Sequence, residues 1–299
     1  MLDSLISISF LVQSLRISIP YALPALGATF SERGGVVNIA LEGILLISAF
    51  ATTVGTFLTA DPLIGIICGV FSGLLVGLLH SIITITFKAD QIVSGIAINL
   101  FAVGITKFSC QLIFDSSSNS ARIVGLEQWN IFPNLPFINN PFLIGTLILL
   151  LFLNYVLFKT RFGLRLRAVG EQPIAAETLG VNVIKMRYYG VLISGVLAGL
   201  GGAWLALDQH SFTDGMTAGR GFIALAAMIV GKWKPIGAAA ACLLFGFAES
   251  LSFSLQSISH AAQFIQMIPY VTTMIVLAGF IGRATPPASD GIPYEKENL

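Results

Sequence analysis

Long apolar runs separated by short polar breaks dominate the chain, and the breaks are where its organisation can be read. A helix needs about 20 apolar residues to cross the hydrocarbon core of a bilayer. The pattern divides into nine such stretches, at 4–29, 34–59, 62–87, 91–113, 141–158, 187–207, 217–231, 235–256 and 264–282. The first is interrupted by Arg16, Pro20 and Pro24. Residues 1–15 therefore have an alternative, an interfacial helix leading into a short, broken span. Three polar segments are longer than a turn. Segment 114–140, with Trp129, Pro133 and Pro136, reads as a lid or short helix on one face of the membrane. The tail 283–299 contains Pro286, Pro287 and Pro293, which argue against helix and predict mobility. The third, 159–187, is the most informative. No soluble domain can be cut from 1–299, so the whole chain is read as one transmembrane domain.

Glycine recurs every fourth residue at Gly65, Gly69, Gly73 and Gly77, which puts a smooth stripe on one helix face. Gly195, Gly199 and Gly202 do much the same in a later span. Such stripes let helix backbones approach closely. The partner is either another helix of the same chain or a second subunit.

Composition sharpens the class. Only 10% of residues are charged and 55% are hydrophobic, against roughly 25% charged in a soluble domain. The chain is thus a polytopic membrane protein. A net charge of +1 gives no reason to expect nucleic acid or an acidic ligand. Charge is informative loop by loop. Lys159, Arg161, Arg165, Arg167, Lys185 and Arg187 are six of the sixteen Lys and Arg residues, and all fall in 159–187. Cytoplasmic loops carry that excess, so this segment is expected inside the cell. Alternation then puts Arg33, Lys88, Lys232, Lys234, Arg283 and Lys296 inside and leaves only Arg16, Lys107, Arg122 and Arg220 at or near the outer side. The predicted topology is N-out, C-in. The N-terminus has no basic n-region and no small-residue cleavage site, so the first apolar segment is expected to be retained.

Several chemistries are missing. No G-x-x-x-x-G-K-[ST] loop is present to cradle phosphates, so the chain is not expected to hydrolyse ATP. No G-x-S-x-G elbow accompanies the histidines His80, His210 and His260, which excludes a serine hydrolase of that type. Cys68, Cys110 and Cys242 lie in apolar runs without metal-ligand or disulfide spacing. No catalytic or metal site is assigned.

Polar residues inside apolar spans are the remaining signal. Asn38 and Glu42, four residues apart beside Gly34, Gly35 and Gly43, share one face if the second stretch is helical there. The glycines are also compatible with irregular backbone, which is tolerated at membrane depth only where protein covers it or a cavity adjoins it. Asn99 and Glu249 form a second set. A carboxylate in a membrane is costly and commonly faces a polar interior. These four residues either line a translocation path or lock helices together by hydrogen bonds. Used as ion sites, Glu42 and Glu249 would instead fit a transporter driven by an ion gradient. Asp208, Gln209, His210 and Asp214 are read as a solvated helix end.

Three segments carry a resemblance: GATFSERGGVVNIALEGILL at 27–46, GEQPIAAETLGVN at 170–182, and GRGFIALAAMIVGKWKPIGAAAACLLFGFAESL at 219–251. Together and in this order the chain resembles the permease subunits of ATP-binding-cassette (ABC) importers, in the branch that serves branched-chain amino acids, simple sugars and nucleosides. The S-E-R-G-G-V-V-N-I-x-L-E-G stretch and the G-[KR]-W-x-P-x-G-A run are most similar to nucleoside (guanosine-type) and simple-sugar permeases.

The resemblance implies an all-α integral membrane bundle, type II-like, in the plasma (inner) membrane. It implies partners: cytoplasmic ABC ATPase subunits that bind ATP and Mg, a second permease subunit, more readily a different paralogue than a copy, and an outer binding lipoprotein or periplasmic protein. No cofactor belongs to the chain itself. It also implies a coupling helix that enters the ATPase, matched here by Gly170, Glu171, Pro173, Ala175, Ala176, Glu177 and Gly180. Pro173 suits a first helical turn, the alanines favour helix and Gly180 stops it. The spacing departs from the E-A-A form of other importer branches, because Glu171 is separated from Ala175 and Ala176. An Ala176→Asp change is expected to uncouple transport without unfolding the spans.

Overall fold

The computed structural model describes residues 8–126, 141–256, 262–280 and 285–295. Among these every regular element is a helix, apart from one isolated bridge between Asn119 and Thr213. The helices are α1 (Ile8–Arg33), α2 (Leu41–Thr59), α3 (Pro62–Ser81, continued by a π-helical turn over Ile82–Thr86), α4 (Gln91–Phe114), α5 (Pro141–Lys159), α6 (Arg161–Glu171), α7 (Pro173–Thr178), α8 (Val183–Gln209), α9 (Arg220–Val230), α10 (Pro235–Gln256), α11 (Ala262–Ile265) and α12 (Ile268–Phe280).

Among the described residues six helices are long and apolar enough to cross a membrane: α2, α3 with its π turn, α4, α5, α8 and α10. The chain is therefore a multi-pass membrane protein, and six of the nine predicted stretches hold such helices. At a rise of 1.5 Å per residue, the 11 residues of α9 reach only about 16 Å and the 13 of α12 about 20 Å, short of a core of about 30 Å. Stretch 217–231 thus contains a partial helix, and the described part of 264–282 contains α11 and α12. The first stretch is a continuous helix from Ile8 through both prolines, not an interfacial helix joined to a broken span. It is long enough to cross, although Gln13 and Arg16 keep its composition polar.

α8 occupies the centre and packs against α1, α2 and α3, while α1 also packs against α9 and α10. Buried residues cover nearly all sides of α8 after its first turns, as expected of a helix surrounded by other helices. The glycine stripe explains how α3 fits there. A Cβ on Gly73 would lie 2.5 Å from Gly195 O, and one on Gly199 would lie 3.0 Å from Gly69 O. The stripe is therefore spent inside the chain, Gly65 and Gly69 against Thr52 and Thr56 or Ser48 of α2 and Gly73 and Gly77 against Gly195 of α8. At the periphery, Leu100, Phe108 and Leu112 of α4 and Leu147, Leu151 and Phe152 of α5 stay exposed, as lipid-facing side chains do.

The second stretch begins as irregular backbone. Residues 34–40 are not helical, and α2 starts only at Leu41. Four polar side chains from three helices, α1, α3 and α4, satisfy this backbone. Ser31 Oγ donates to Val36 O, Val37 N donates to Gln91 Oε1, and Asn99 Nδ2 donates to Ile39 O. His80 Nε2 meets Val37 O at 3.1 Å, and its Nδ1 meets Ser94 Oγ at 3.0 Å. Without such partners, each orphaned peptide group would cost several kcal/mol at membrane depth.

The described parts of two polar segments pack against the bundle. Residues 115–126 form no helix; they run beside 210–214, with Ser120 N donating to Phe212 O and Asp214 N to Ser118 O. Trp129, Pro133 and Pro136 lie outside the described residues. Nor is the described part of the tail, 285–295, a free segment: it lies along α6 and α8 with Pro287 and Ser289 buried.

Candidate functional site

The ends of α1, α9 and α10 meet at one side of the bundle. Arg33 Nε donates to Trp233 O at 3.0 Å, and Trp233 Nε1 donates to Glu32 Oε2 at 2.6 Å. These bonds hold a tight α9–α10 turn in which Lys232 and Trp233 both take left-handed backbone, at φ 58° and 53°. Non-glycine residues enter that region only at a cost, so the clamp has work to do.

Counting from that end at 1.5 Å per residue gives the depth of the buried charges. Tyr21 lies about 18 Å along α1, Arg220 about 15 Å along α9 and Glu249 about 21 Å along α10, near the middle of a bilayer core. There they converge. Arg220 Nη2 donates to Glu249 Oε1 at 2.7 Å, with both side chains largely buried, and Tyr21 OH donates to Glu249 Oε2. The guanidinium also lies over the Tyr21 ring at 5.9 Å. Burial of opposite charges at depth is tolerable only as a bonded pair.

Glu42 stands beside this group and caps α9. Its two carboxylate oxygens accept from Gly219 N at 2.8 Å and Gly221 N at 2.7 Å, at the positive end of that short helix. Glu42→Ala is expected to cost about 1–3 kcal/mol by freeing two amides. It should appear as a lower unfolding temperature in detergent, with Glu42→Gln losing less. Unchanged stability in Glu42→Ala would discard the capping role.

Asn38 and Glu42 do not share a helix face, because Asn38 precedes α2 in the irregular segment. Asn38 Nδ2 instead donates to Ser194 Oγ on α8. Asn99 brackets the start of α2, since its Oδ1 also accepts from Gly43 N at 2.8 Å. Asn38 and Asn99 thus lock a broken segment, whereas Glu42 and Glu249 hold α9 and its arginine.

A cavity of about 870 Å³ opens beyond Arg220, toward the bundle end opposite 159–187. It is lined by Gln13 and Arg16 of α1, Asp208 and Gln209 at the end of α8, Arg220, and Phe253 of α10, with Trp204 in its wall. Arg16 and Asp208 pair across it at 2.6 Å. None of the four polar residues singled out in the sequence lines this cavity. Tyr21 and Arg220 escaped notice because a tyrosine in an apolar run looks like core and an arginine at its edge looks like a helix end. The missed signal was electrostatic: Glu249, buried in a span, required a cation. Asp208 and Asp214, read as solvated, pair with Arg16 and Lys107.

The opposite face holds the stretch singled out for coupling. Gly170 ends α6 against the last turn of α1, where a Cβ would lie 2.2 Å from Arg33 O, so only glycine fits. Glu171 is exposed and lies 3.6 Å from Arg33 Nη1. Pro173 opens α7, and Gly180, at φ +79°, turns the chain away from it. Ala176 is buried, while Ala175, Ile174 and Leu179 face outward and Leu179 is 84% exposed. Glu177 is bonded to Tyr294 of the tail.

Comparison with known proteins follows from this arrangement. The family model described as "Branched-chain amino acid transport system / permease component" matches residues 10–278. The chain is 43% identical to the guanosine ABC transporter permease protein NupQ of Bacillus subtilis, covering 96% of this chain and 98% of that one. It is 43% identical to the nucleoside ABC transporter permease protein NupC of Lactococcus lactis, with 93% and 94% covered. In fold it is similar to a solved chain described as a metal-chelate type ABC transporter in an inward-facing conformation. That likeness has a TM-score of 0.51 at 17% identity, covering 90% of this chain and 85% of that one.

Proposed function

The chain belongs to the family of permease components of branched-chain amino acid transport systems, and from that premise we propose that it carries a nucleoside into the cytoplasm as one permease of an ABC importer. The observation that carries the solute is the 43% identity, over nearly the whole length, to two permeases named for guanosine and nucleosides. The geometry supplies a route. A cavity of about 870 Å³ is within the size range of small-molecule sites. Its wall combines the aromatic ring of Phe253 with amide, carboxylate and guanidinium groups suited to a base and a ribose. Its floor is the start of a partial helix at mid-depth, where discontinuous helices commonly meet solutes in transporters.

In this reading the 159–187 side faces the cytoplasm of a plasma (inner) membrane, and the N-terminus faces out. ATPase subunits that bind ATP and Mg dock on α7, a second permease of a different sequence completes the path, and an outer binding protein delivers the solute. The chain itself performs no covalent chemistry. Its contribution is differential affinity: α7 must meet the ATP-bound and ATP-free partners differently, because a partner shifts an equilibrium only through that difference.

The test is uptake by the assembled complex in proteoliposomes, with labelled guanosine and with ribose and leucine as competitors. ATP-dependent guanosine uptake that ribose and leucine fail to compete supports the reading. Competition by leucine or ribose alone reassigns the solute, and uptake driven by an ion gradient without ATPase subunits removes the ABC mechanism for this chain.

A further inference from the structure

α7 is poorly equipped to act as a lever by itself. It has six residues, and of these only Ala176 is buried. A helix this short has no stability of its own in water. Force reaching it from a partner would bend the connections at Gln172 and Gly180 unless something else held it to the spans.

The tail supplies that attachment. Ser289 N donates to Gly170 O at 2.9 Å, and Ser289 Oγ lies within hydrogen-bond distance of both Val169 O, at 3.1 Å, and Gly170 O, at 2.6 Å, fastening the tail to the end of α6. Ala288 N donates to Glu171 Oε2. Five residues beyond Ser289, Tyr294 OH donates to Glu177 of α7, and its ring packs in the cluster that holds Ala176, Val169 and Val183. Arg187, buried in the second turn of α8, donates to Ile292 O at 2.8 Å and lies 5.9 Å from the Tyr294 ring centre. Asp290 sits among Glu32 of α1, Arg187 and Gly291 N, and burial pushes its carboxyl up to about 7. One eleven-residue segment therefore ties α7 to α6 and α8, and Glu171, which accepts from the tail, also lies 3.6 Å from Arg33 of α1, the helix that carries Tyr21 into the mid-membrane group.

We propose that residues 285–295 are a clasp that holds α7 rigidly to the spans, with Ser289 and Tyr294 as positioning residues for energy coupling. The proposal rests on the reading of α7 as the segment that meets the ATPase. The clasp lets a push on the exposed side of α7 move α1 and α8 instead of being absorbed by the short helix.

The experiment uses the full complex in proteoliposomes, with the chain carrying Ser289→Ala and Tyr294→Phe together. Removing these side-chain hydrogen bonds is expected to lower uptake per ATP hydrolysed by about five- to ten-fold. ATP hydrolysis should stay within about two-fold of normal, because the docking side chains are untouched. A reporter, Leu179→Cys, is cross-linked to the ATPase subunit in the altered and unaltered chains. Normal cross-linking with a lowered uptake-to-ATP ratio supports the clasp. An unchanged ratio, or uptake and hydrolysis falling in the same proportion, overturns it. A reporter that never cross-links in the unaltered chain instead overturns the docking reading, and the clasp with it. Should the double variant fail to accumulate, Tyr294→Phe alone keeps the ring and removes one hydroxyl; a ratio lower by about two- to five-fold supports the clasp and an unchanged ratio overturns it.

Discussion

Replacing Arg220 with Met is expected to reduce uptake by about a hundred-fold or more, because breaking a buried ion pair costs about 3–5 kcal/mol. The cost arises from what is left behind. Glu249, largely buried, would retain Tyr21 OH as a donor but lose the cation that balances its charge. The start of α9 would also lose the bonds from Arg220 to Met216 O and Thr217 O. A companion variant separates structure from transport. Arg220→Met with Glu249→Gln removes both charges and leaves an amide able to bond Tyr21, so the amount of folded protein extracted from membranes should recover. Uptake should not recover, since the guanidinium forms the cavity floor. Full uptake by the double variant would show that the pair only holds the fold, and the solute route would then have to be sought elsewhere.

The physical reason that part of this protein could be read from its sequence lies in length. Runs such as those forming α3, α4, α5 and α10 are apolar for a full membrane thickness, so their ends fall within a few residues of the observed ones. α9, largely buried and only 11 residues long, shows the limit of this signal: an apolar run states what a segment avoids, which is water, and not whether lipid or protein covers it. The irregular segment at 34–40 left a trace in the Gly34–Gly35 pair. Its partners Gln91, His80 and Asn99 lie far away in sequence, so the meaning of those polar residues appeared only when the helices were assembled. Asn38 and Glu42 are both unusual in an apolar run, but their four-residue spacing does not put them on one face, because Asn38 lies in the irregular backbone that the neighbouring glycines allow. Lys185 and Arg187 were counted as loop charges, yet α8 begins at Val183 and buries Arg187 against the tail. The tail itself gave no warning. Prolines, serine and acidic residues compose a docked segment as readily as a solvated one, and only long-range partners distinguish the two.

The same distinction between composition and placement decides what a charge does on α7. Ala176 was the natural target from sequence, but its side chain points into the cluster with Leu166, Val169, Val183 and Tyr294. Ala176→Asp would bury a carboxylate there at a cost of several kcal/mol, so its expected effect is loss of folded chain and release of the tail, before any effect on docking. Leu179, one residue past α7, is 84% exposed and has nothing of its own chain to stabilise. A bare leucine of that exposure beside Ile174 on a surface of charged and small residues fits a contact that a partner covers. Leu179→Asp is therefore expected to leave the amount and thermal stability of the extracted chain unchanged while lowering ATP-dependent uptake about ten-fold or more, by weakening ATPase docking. The measurement is co-purification of the ATPase subunits together with uptake. A Leu179→Asp chain that retains its ATPase and transports normally would move the docking surface off α7, whereas a stable Ala176→Asp chain that merely uncouples would mean that the buried face of α7 opens during the transport cycle.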